Sequence, residues 1–190
     1  MSDQPLAPAG YGPSALATPA NAITMSRMIA TPFLVLAIVS GGTGYPLVAA
    51  WILLSATDGA DGWLARRQGT TRSGAFLDPL ADKVVVLAAM AALVSINRMW
   101  WVPVLVIGVR EVVISAYRSY VGRRGISVPA RPWAKVKTAV QDVAIGMALA
   151  PVASASYRSA IAFVLWVAVG LTIVTGAQYL VDGRQVIRTV

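Results

Sequence analysis

Six apolar stretches, each close to the length of a bilayer crossing, are the feature that most constrains how this chain folds. A helix of about 20 apolar residues spans the hydrocarbon core of a membrane and satisfies its own backbone hydrogen bonds there. The sequence therefore predicts an all-α integral membrane protein with six transmembrane helices. The stretches are residues 23–39, 47–66, 74–96, 102–120, a fifth that begins at Lys135 and Lys137 and ends near Pro151, and 160–180.

The composition supports this class and excludes several kinds of chemistry. Hydrophobic residues make up 57% of the chain and charged residues only 13%, which is too apolar for an ordinary soluble domain. The chain has no cysteine and no histidine, which excludes disulfides, thiol nucleophiles and imidazole bases. The net charge is +8, but the basic residues flank apolar segments. We therefore expect an anionic membrane surface and not nucleic acid as the partner.

Four of the eight acidic residues lie within residues 58–82, between apolar runs. In a helix, Asp58 and Asp61 share one face, and Asp78 and Asp82 share a face of the next helix. Two such helices side by side would gather four carboxylates, which repel one another unless a cation neutralises them. Carboxylate oxygens bind hard divalent cations, so this pattern predicts a site for Mg²⁺ or Mn²⁺.

Small and basic residues accompany the acidic ones. Gly62 and Ala65 leave room for a bulky anionic ligand to approach the helix, and Gly74 lets the second helix start without crowding. Arg66 and Arg72 add the positive charge that a phosphorylated substrate requires. The alternative is a solvated loop in which the acids pair with nearby arginines. Four acids on two helical registers favour a binding site.

The order D-x2-D-G-x2-A-R-x7-G-x3-D-x3-D resembles the signature of the CDP-alcohol phosphatidyltransferase family, and the chain matches every fixed position. The resemblance implies the CDP-alcohol phosphotransferase fold and a membrane enzyme that moves a phosphatidyl group from CDP-diacylglycerol to an alcohol, releasing CMP. It also implies a homodimer. By this resemblance Asp58, Asp61 and Asp78 chiefly hold two divalent metal ions, and Asp82 contacts the metal site as the general base. The residues expected to bind the nucleotide end of CDP-diacylglycerol are Asp58, Asp61, Gly62, Ala65, Arg66, Gly74, Asn21 and Thr24.

The entry to the first apolar stretch carries three polar residues, Asn21, Thr24 and Arg27. Their arrangement, with Pro32 further on, resembles the entry helix of the glycerophosphate branch of this family, which implies a role on the substrate side. The alternative is local: Asn21 or Thr24 caps the helix, and Arg27 extends to lipid headgroups.

Basic residues in the fourth and fifth stretches predict an acceptor alcohol that carries phosphate. Arg110 and Arg118 are eight residues apart, nearly on one helical face, and Lys135 and Lys137 lead into an apolar helix. Arg110 and Glu111 are adjacent and should point in different directions, which argues against a simple self-contained pair. We expect Arg110, Arg118, Lys135 and Lys137 to bind the phosphate of the acceptor.

The segment 128–138 also resembles the branch of the family that makes phosphatidylglycerophosphate, so the favoured acceptor is sn-glycerol 3-phosphate. A cardiolipin synthase, whose acceptor is phosphatidylglycerol, is the second possibility, and a phosphatidylinositol phosphate synthase is the third. From other classes we considered a small cation transporter and a structural membrane scaffold. A transporter predicts acids spread through the membrane depth, and a scaffold leaves the fixed spacings unexplained.

Charge and composition also predict the domain organisation and orientation. Residues 1–20 are expected to be a flexible leader, 21–182 the six-helix transmembrane catalytic domain, and 183–190 a short basic tail. With six crossings, one side of the membrane receives only Arg98 and Arg158, and the positive-inside rule makes the other side, with the acidic motif, cytoplasmic. The expected location is therefore the inner cell membrane. The basic residues on the cytoplasmic side are Arg66, Arg67, Arg72, Arg123, Arg124, Arg131, Lys135, Lys137, Arg184 and Arg188.

Overall fold

The computed structural model describes residues 19–68, 74–123 and 133–188, and all regular structure in these ranges is α-helical. The all-α prediction is confirmed for this part of the chain, and each predicted apolar stretch corresponds to one helix, although the third and fifth stretches extend one or two residues past the ends of their helices. The leader lies almost entirely outside the described residues. The helices are α1 Pro19–Gly41, α2 Tyr45–Gln68, α3 Gly74–Ser95, α4 Trp101–Arg123, α5 Trp133–Leu149 and α6 Ala155–Arg188.

Two segments, in α1 and α6, are long and apolar enough to cross a membrane by length and composition. They are Ala22–Gly41 and Ala155–Val181, while Tyr45–Thr57 and Lys83–Ser95 are shorter apolar segments. Helices α2 to α5 carry charged residues inside their apolar stretches, which lowers their apolar character. Six crossings are therefore not established by this criterion in the described residues, and the crossings of α2 to α5 stay predictions.

Helix α3 ends in a Schellman motif at Asn97. Asn97 has a φ of 57°, the left-handed conformation that asparagine tolerates better than most residues. Its N–H donates to Val94 O at 3.0 Å, and the N–H of Arg98 donates to Leu93 O at 2.8 Å. Two terminal carbonyl groups of α3 are thereby satisfied, and the chain turns directly towards α4.

The Arg98 side chain caps the end of α5. Its Nε donates to Ala148 O at 3.2 Å, and its Nη2 donates to the carbonyl groups of Ala150 and Val152. Ala148 is in the last turn of α5, where carbonyl groups lack partners within the helix and carry partial negative charge, so the guanidinium group stabilises this carbonyl by hydrogen bonding and by its charge. Ala150 and Val152 follow the helix, and their bonds to Arg98 hold the connection against it.

These contacts place three connections at one end of the bundle. Arg98 joins the connection after α3 to the one after α5, and Gly44 N donates to Leu149 O at 3.0 Å, which adds the connection after α1. Successive helices therefore run in opposite directions. The second half of α2 and the first half of α3 both point towards the opposite end.

Helix α3 has a central position, since it packs against α1, α4 and α5. Helix α6 packs against α4 and α5, α1 packs also against α2, and α2 packs against α5. The fully buried Ala89 of α3 and Ala144 and Ala148 of α5 are small side chains that allow close helix approach. The bundle thus brings polar side chains of α3, α4, α5 and α6 within reach of one another.

Candidate active site

The four aspartates of the motif all lie in helices, as their spacing predicts. Asp58 and Asp61 are in the second half of α2, and Asp78 and Asp82 are in the first half of α3. With a rise of 1.5 Å per residue, Asp58 and Asp82 each lie about 20 Å along their helices from the end where Arg98 caps α5. Both pairs therefore lie at a similar depth.

The side chains of these aspartates lie outside the described residues, as do those of Asn21, Ala65 and Arg66. The meeting of the two acidic faces therefore stays a prediction. The chemistry of the donor set fits a hard divalent cation, because it consists of carboxylates on adjacent turns of two helices. Along the backbone, Gly62 lies within α2 and Gly74 begins α3.

Helix α1 turns Thr24 and Arg27 inwards. Thr24 is 1% exposed and Arg27 is 3% exposed, and the hydroxyl of Thr31 donates to Arg27 O at 2.7 Å. Such burial excludes the alternative in which Arg27 extends to lipid headgroups. Helix α1 begins at Pro19, so Asn21 and Thr24 are inside the helix and do not cap it.

A small cavity lies between α1, α2, α3 and α5. One wall includes Ser55, which precedes Asp58 by three residues, and another includes Val85, which follows Asp82 by three. Residues three apart share a helical face, so the faces that carry Asp58 and Asp82 continue two walls of the same cavity. The lining residues are Arg27, Trp51, Leu54, Ser55, Val85, Val86, Thr138 and Asp142.

A buried carboxylate, Glu111 of α4, gathers three cations from three helices. Lys137 of α5 donates to Glu111 Oε1, and Arg110 Nη1 lies 3.0 Å from the same oxygen. Lys83 Nζ of α3 lies 3.7 Å from Glu111 Oε2. We call Lys83, Arg110, Glu111 and Lys137 the Glu111 cluster. Among the described residues, one carboxylate faces three cations, so the four members together carry a formal charge of +2.

Uncharged groups hold two of the cations. Lys83 donates to the hydroxyl of Ser115, and Arg110 Nη2 donates to Thr175 Oγ1 of α6 at 2.9 Å. The Thr175 hydroxyl in turn donates to Leu171 O at 2.7 Å, which fixes its orientation. Arg110 Nε is buried and has no hydrogen-bond partner among the described residues. The cluster therefore places positive charge inside the bundle.

The prediction that Arg110 and Glu111 point in different directions is wrong, because their side chains meet at 3.0 Å. Both side chains are long enough to curve towards each other although their β-carbons diverge. The accompanying prediction that they do not form a self-contained pair is confirmed. Glu111 also binds Lys137 and lies close to Lys83.

The structure divides the four predicted acceptor-binding residues into two groups. Arg110 and Lys137 meet in the Glu111 cluster, whereas Arg118 and Lys135 are exposed. Lys135 and Lys137 are two residues apart and so lie on nearly opposite faces of α5. Sequence reasoning missed Lys83 and did not assign Glu111. The available signals were that Lys83 directly follows Asp82 and that Glu111 is the only glutamate in the chain.

Comparison with known proteins gives a consistent result. Residues 17–174 match the family model described as CDP-alcohol phosphatidyltransferase. A "Probable phosphatidylglycerophosphate synthase" of Mycobacterium tuberculosis is 37% identical over 186 residues, covering 94% of this chain and 88% of that protein.

Two further relatives carry the name "CDP-diacylglycerol--glycerol-3-phosphate 3-phosphatidyltransferase". The protein of Escherichia coli is 41% identical over 170 residues, covering 85% of this chain and 92% of its own length. The protein of Haemophilus influenzae is 37% identical over 165 residues, covering 83% of this chain and 89% of its own length. These relatives align along most of their length.

Proposed function

Because the chain belongs to the CDP-alcohol phosphatidyltransferase family, we propose that it transfers the phosphatidyl group of CDP-diacylglycerol to sn-glycerol 3-phosphate, giving phosphatidylglycerophosphate and CMP. Membership confirms the resemblance seen in the aspartate motif and the prediction that the chain is a transferase. It leaves no role for the transporter and scaffold alternatives. The names of the relatives support glycerol 3-phosphate as the acceptor.

The charge of the Glu111 cluster is the observation that carries this choice of acceptor. Three cations face one carboxylate, so two positive charges remain. A phosphate monoester carries a charge of about −1.5 to −2 at neutral pH, which matches this excess. The phosphodiester of phosphatidylglycerol carries one negative charge and fits less well. Inositol phosphate is also a monoester, and the names of the relatives favour glycerol 3-phosphate over it.

The cluster is joined directly to the acidic motif, because Lys83 follows Asp82 in α3. We assign the acceptor phosphate to Lys83, Arg110 and Lys137, which would leave its hydroxyl group near Asp82. Arg118 and Lys135 are exposed and lie nearer than the cluster to the end of the bundle that carries the motif. We assign them the attraction of the anionic acceptor towards the site.

For the donor, we assign Asp58, Asp61 and Asp78 to two divalent cations, Mg²⁺ or Mn²⁺, and Asp82 would belong to the same metal site. When bound, these cations supply charge neutralisation and polarisation of the phosphoryl oxygens of the CDP pyrophosphate. Gly62 and Ala65 leave space for the nucleotide.

Other residues at this end of the bundle complete the proposed nucleotide pocket. Arg66 adds positive charge, and Gly74 keeps the start of α3 uncrowded. Asn21 and Thr24 supply polar groups from α1, whose inward face carries the buried Thr24.

The residues of the chain then divide the reaction between them. The Glu111 cluster holds the acceptor phosphate and so fixes the position of the attacking hydroxyl group. Asp82 takes the proton of that hydroxyl, whose oxygen bonds to the β-phosphorus of CDP-diacylglycerol. The bond from that phosphorus to the oxygen of CMP breaks, and CMP leaves with the electron pair. The cavity shared by Ser55 and Val85 supports placing the two acidic faces together.

We also propose that all six helices cross the inner membrane and that the motif faces the cytoplasm. Exposed positions are strongly apolar, as at Phe33 (68% exposed) and Phe163 (70%), whereas Glu111 and Lys137 are buried. This distribution suits a lipid-facing exterior with a polar interior. The end that carries Arg98 and Arg158 is poor in basic residues, which supports the orientation. The homodimer stays a prediction.

An acceptor panel tests the proposal. Purified protein is supplied with CDP-diacylglycerol, Mg²⁺ and one acceptor at a time: glycerol 3-phosphate, phosphatidylglycerol or inositol phosphate. Of the three acceptors, we expect only glycerol 3-phosphate to cause release of CMP. Release that requires phosphatidylglycerol or inositol phosphate instead would assign the corresponding alternative, and no release with any acceptor would overturn the proposal.

A further inference from the structure

We propose that Glu111 is a positioning residue of the acceptor site, whose carboxylate holds Lys83, Arg110 and Lys137 together and sets the charge that the acceptor phosphate meets. This inference rests on the proposed function, because it concerns the same site. It adds a role for Glu111, whose negative charge prevents it from binding a phosphate directly.

The contacts of Glu111 give the geometric argument. The residue is 5% exposed, and both carboxylate oxygens face cations. Oε1 accepts from Lys137 and Arg110, while Oε2 faces Lys83. Lysine side chains are flexible, and three like charges around one point repel one another. A carboxylate at their centre is what holds them at a common place.

The charge gives the second argument. A buried carboxylate beside a phosphate site weakens the attraction for phosphate, so it is unfavourable for binding alone. The product of the proposed reaction keeps the phosphate monoester of the acceptor. Without Glu111, three uncompensated cations would therefore hold the product, like the acceptor, more tightly than the cluster with Glu111 does. With Glu111 present, the excess of two charges balances the monoester and permits release.

The test compares Glu111→Gln with Glu111→Asp in the full chain. Glutamine keeps the size of the side chain but removes its charge, whereas aspartate keeps the charge on a shorter side chain. Two quantities are measured: the kcat for CMP release at saturating substrates, and the binding of inorganic phosphate, followed as the phosphate-dependent increase in Tm and as the Ki against glycerol 3-phosphate.

For Glu111→Gln we expect kcat to fall by roughly tenfold or more and the Ki of inorganic phosphate to fall as well, by about tenfold. For Glu111→Asp we expect the Ki to stay within about twofold of the starting value, since the net charge is unchanged.

Thr172→Val is the matched control. It removes the buried hydrogen bond from Gln141 Nε2 to Thr172 Oγ1, 3.3 Å long, between α5 and α6 without changing any charge. We expect it to leave both kcat and Ki unchanged, and so to show the cost of disturbing these helices alone.

Three outcomes would overturn the inference. The first is a normal kcat in Glu111→Gln, and the second is a loss of kcat with unchanged phosphate binding, which is the signature of a purely structural role. The third is a phosphate Ki that falls as far in Glu111→Asp as in Glu111→Gln, which would show that the charge of the carboxylate does not set phosphate binding. Phosphate-dependent Tm needs no turnover, so an inactive wild-type protein would refute the proposed function while the role of Glu111 is still tested.

Discussion

The side chain of Arg110 in α4 lies so close to Gly176 in α6 that a β-carbon at position 176 would stand 2.9 Å from Arg110 Nε. Real β-carbons essentially never approach a heavy atom this closely. The atom in the way belongs to a flexible side chain, so alanine at this position displaces the guanidinium group and leaves the backbone in place. Gly176 therefore provides the space in which Arg110 is held.

We predict that Gly176→Ala raises the KM for glycerol 3-phosphate by roughly three- to tenfold and leaves the KM for CDP-diacylglycerol unchanged. Gly170→Ala is the control, because it makes the same substitution in the same helix with no atom within 4 Å of the new β-carbon. Steady-state kinetics of CMP release measure both. Equal KM values in the two variants would contradict the assignment of Arg110 to the acceptor.

Lys137→Met is expected to raise the KM for glycerol 3-phosphate by about ten- to a hundredfold, because it removes a buried charged donor of the cluster. The KM for the lipid donor should change little. Arg158→Met, an exposed residue near the start of α6, removes the same charge at the opposite end of the bundle and serves as the control. A parallel increase in both KM values would remove Lys137 from the acceptor pocket.

Asp82→Asn should reduce turnover by about a hundredfold or more, since an amide cannot take the proton of the acceptor hydroxyl. Binding of CDP-diacylglycerol and of metal should remain largely intact, because three aspartates are left. Single-turnover release of CMP and equilibrium binding of the donor separate the two effects. Normal CMP release by this variant would refute the general-base assignment.

Removal of divalent cations should stop CMP release, because four carboxylates without a counter-charge repel each other and the pyrophosphate. The measurement is activity after dialysis against EDTA, followed by addition of Mg²⁺, Mn²⁺ or Ca²⁺. We expect Mg²⁺ or Mn²⁺ to restore activity. Sustained turnover in the metal-free protein would discard the metal assignment.

Arg98→Met should destabilise the fold without a specific effect on either substrate. Three carbonyl groups, one in the last turn of α5 and two in the connection after it, lose a charged donor, which we expect to lower the free energy of unfolding by about 2 kcal/mol. The Tm in detergent measures this loss, with Arg158→Met as the exposed control. An unchanged Tm would show that the cap contributes nothing measurable.

The helices and the helical placement of the four aspartates could be predicted from the sequence, because both depend on local spacing. Apolar length predicts helices, and intervals of three and four residues place Asp58 with Asp61 and Asp78 with Asp82. The same spacing rule places Lys135 and Lys137 on nearly opposite faces of α5, which the prediction that both bind the acceptor did not take into account.

The Glu111 cluster could not be predicted in this way. Its four members come from three helices, and their contacts depend on how those helices pack. Backbone direction misled the prediction for Arg110 and Glu111, since long side chains reach partners that their β-carbons do not face. The position of the Arg110 side chain depends on Gly176, which is 66 positions later in the chain. No sequence pattern links these two residues.

The succession of Asp82 and Lys83 in one helix has a mechanical consequence. Helix α3 carries groups for both substrates, and only one peptide bond separates the proposed proton acceptor from a cation of the phosphate site. If α3 tilts or slides when the bilayer thickness changes, it moves as a rigid body and carries both groups with it. The separation between the two reactants would then be insulated from the mechanical state of the surrounding lipid.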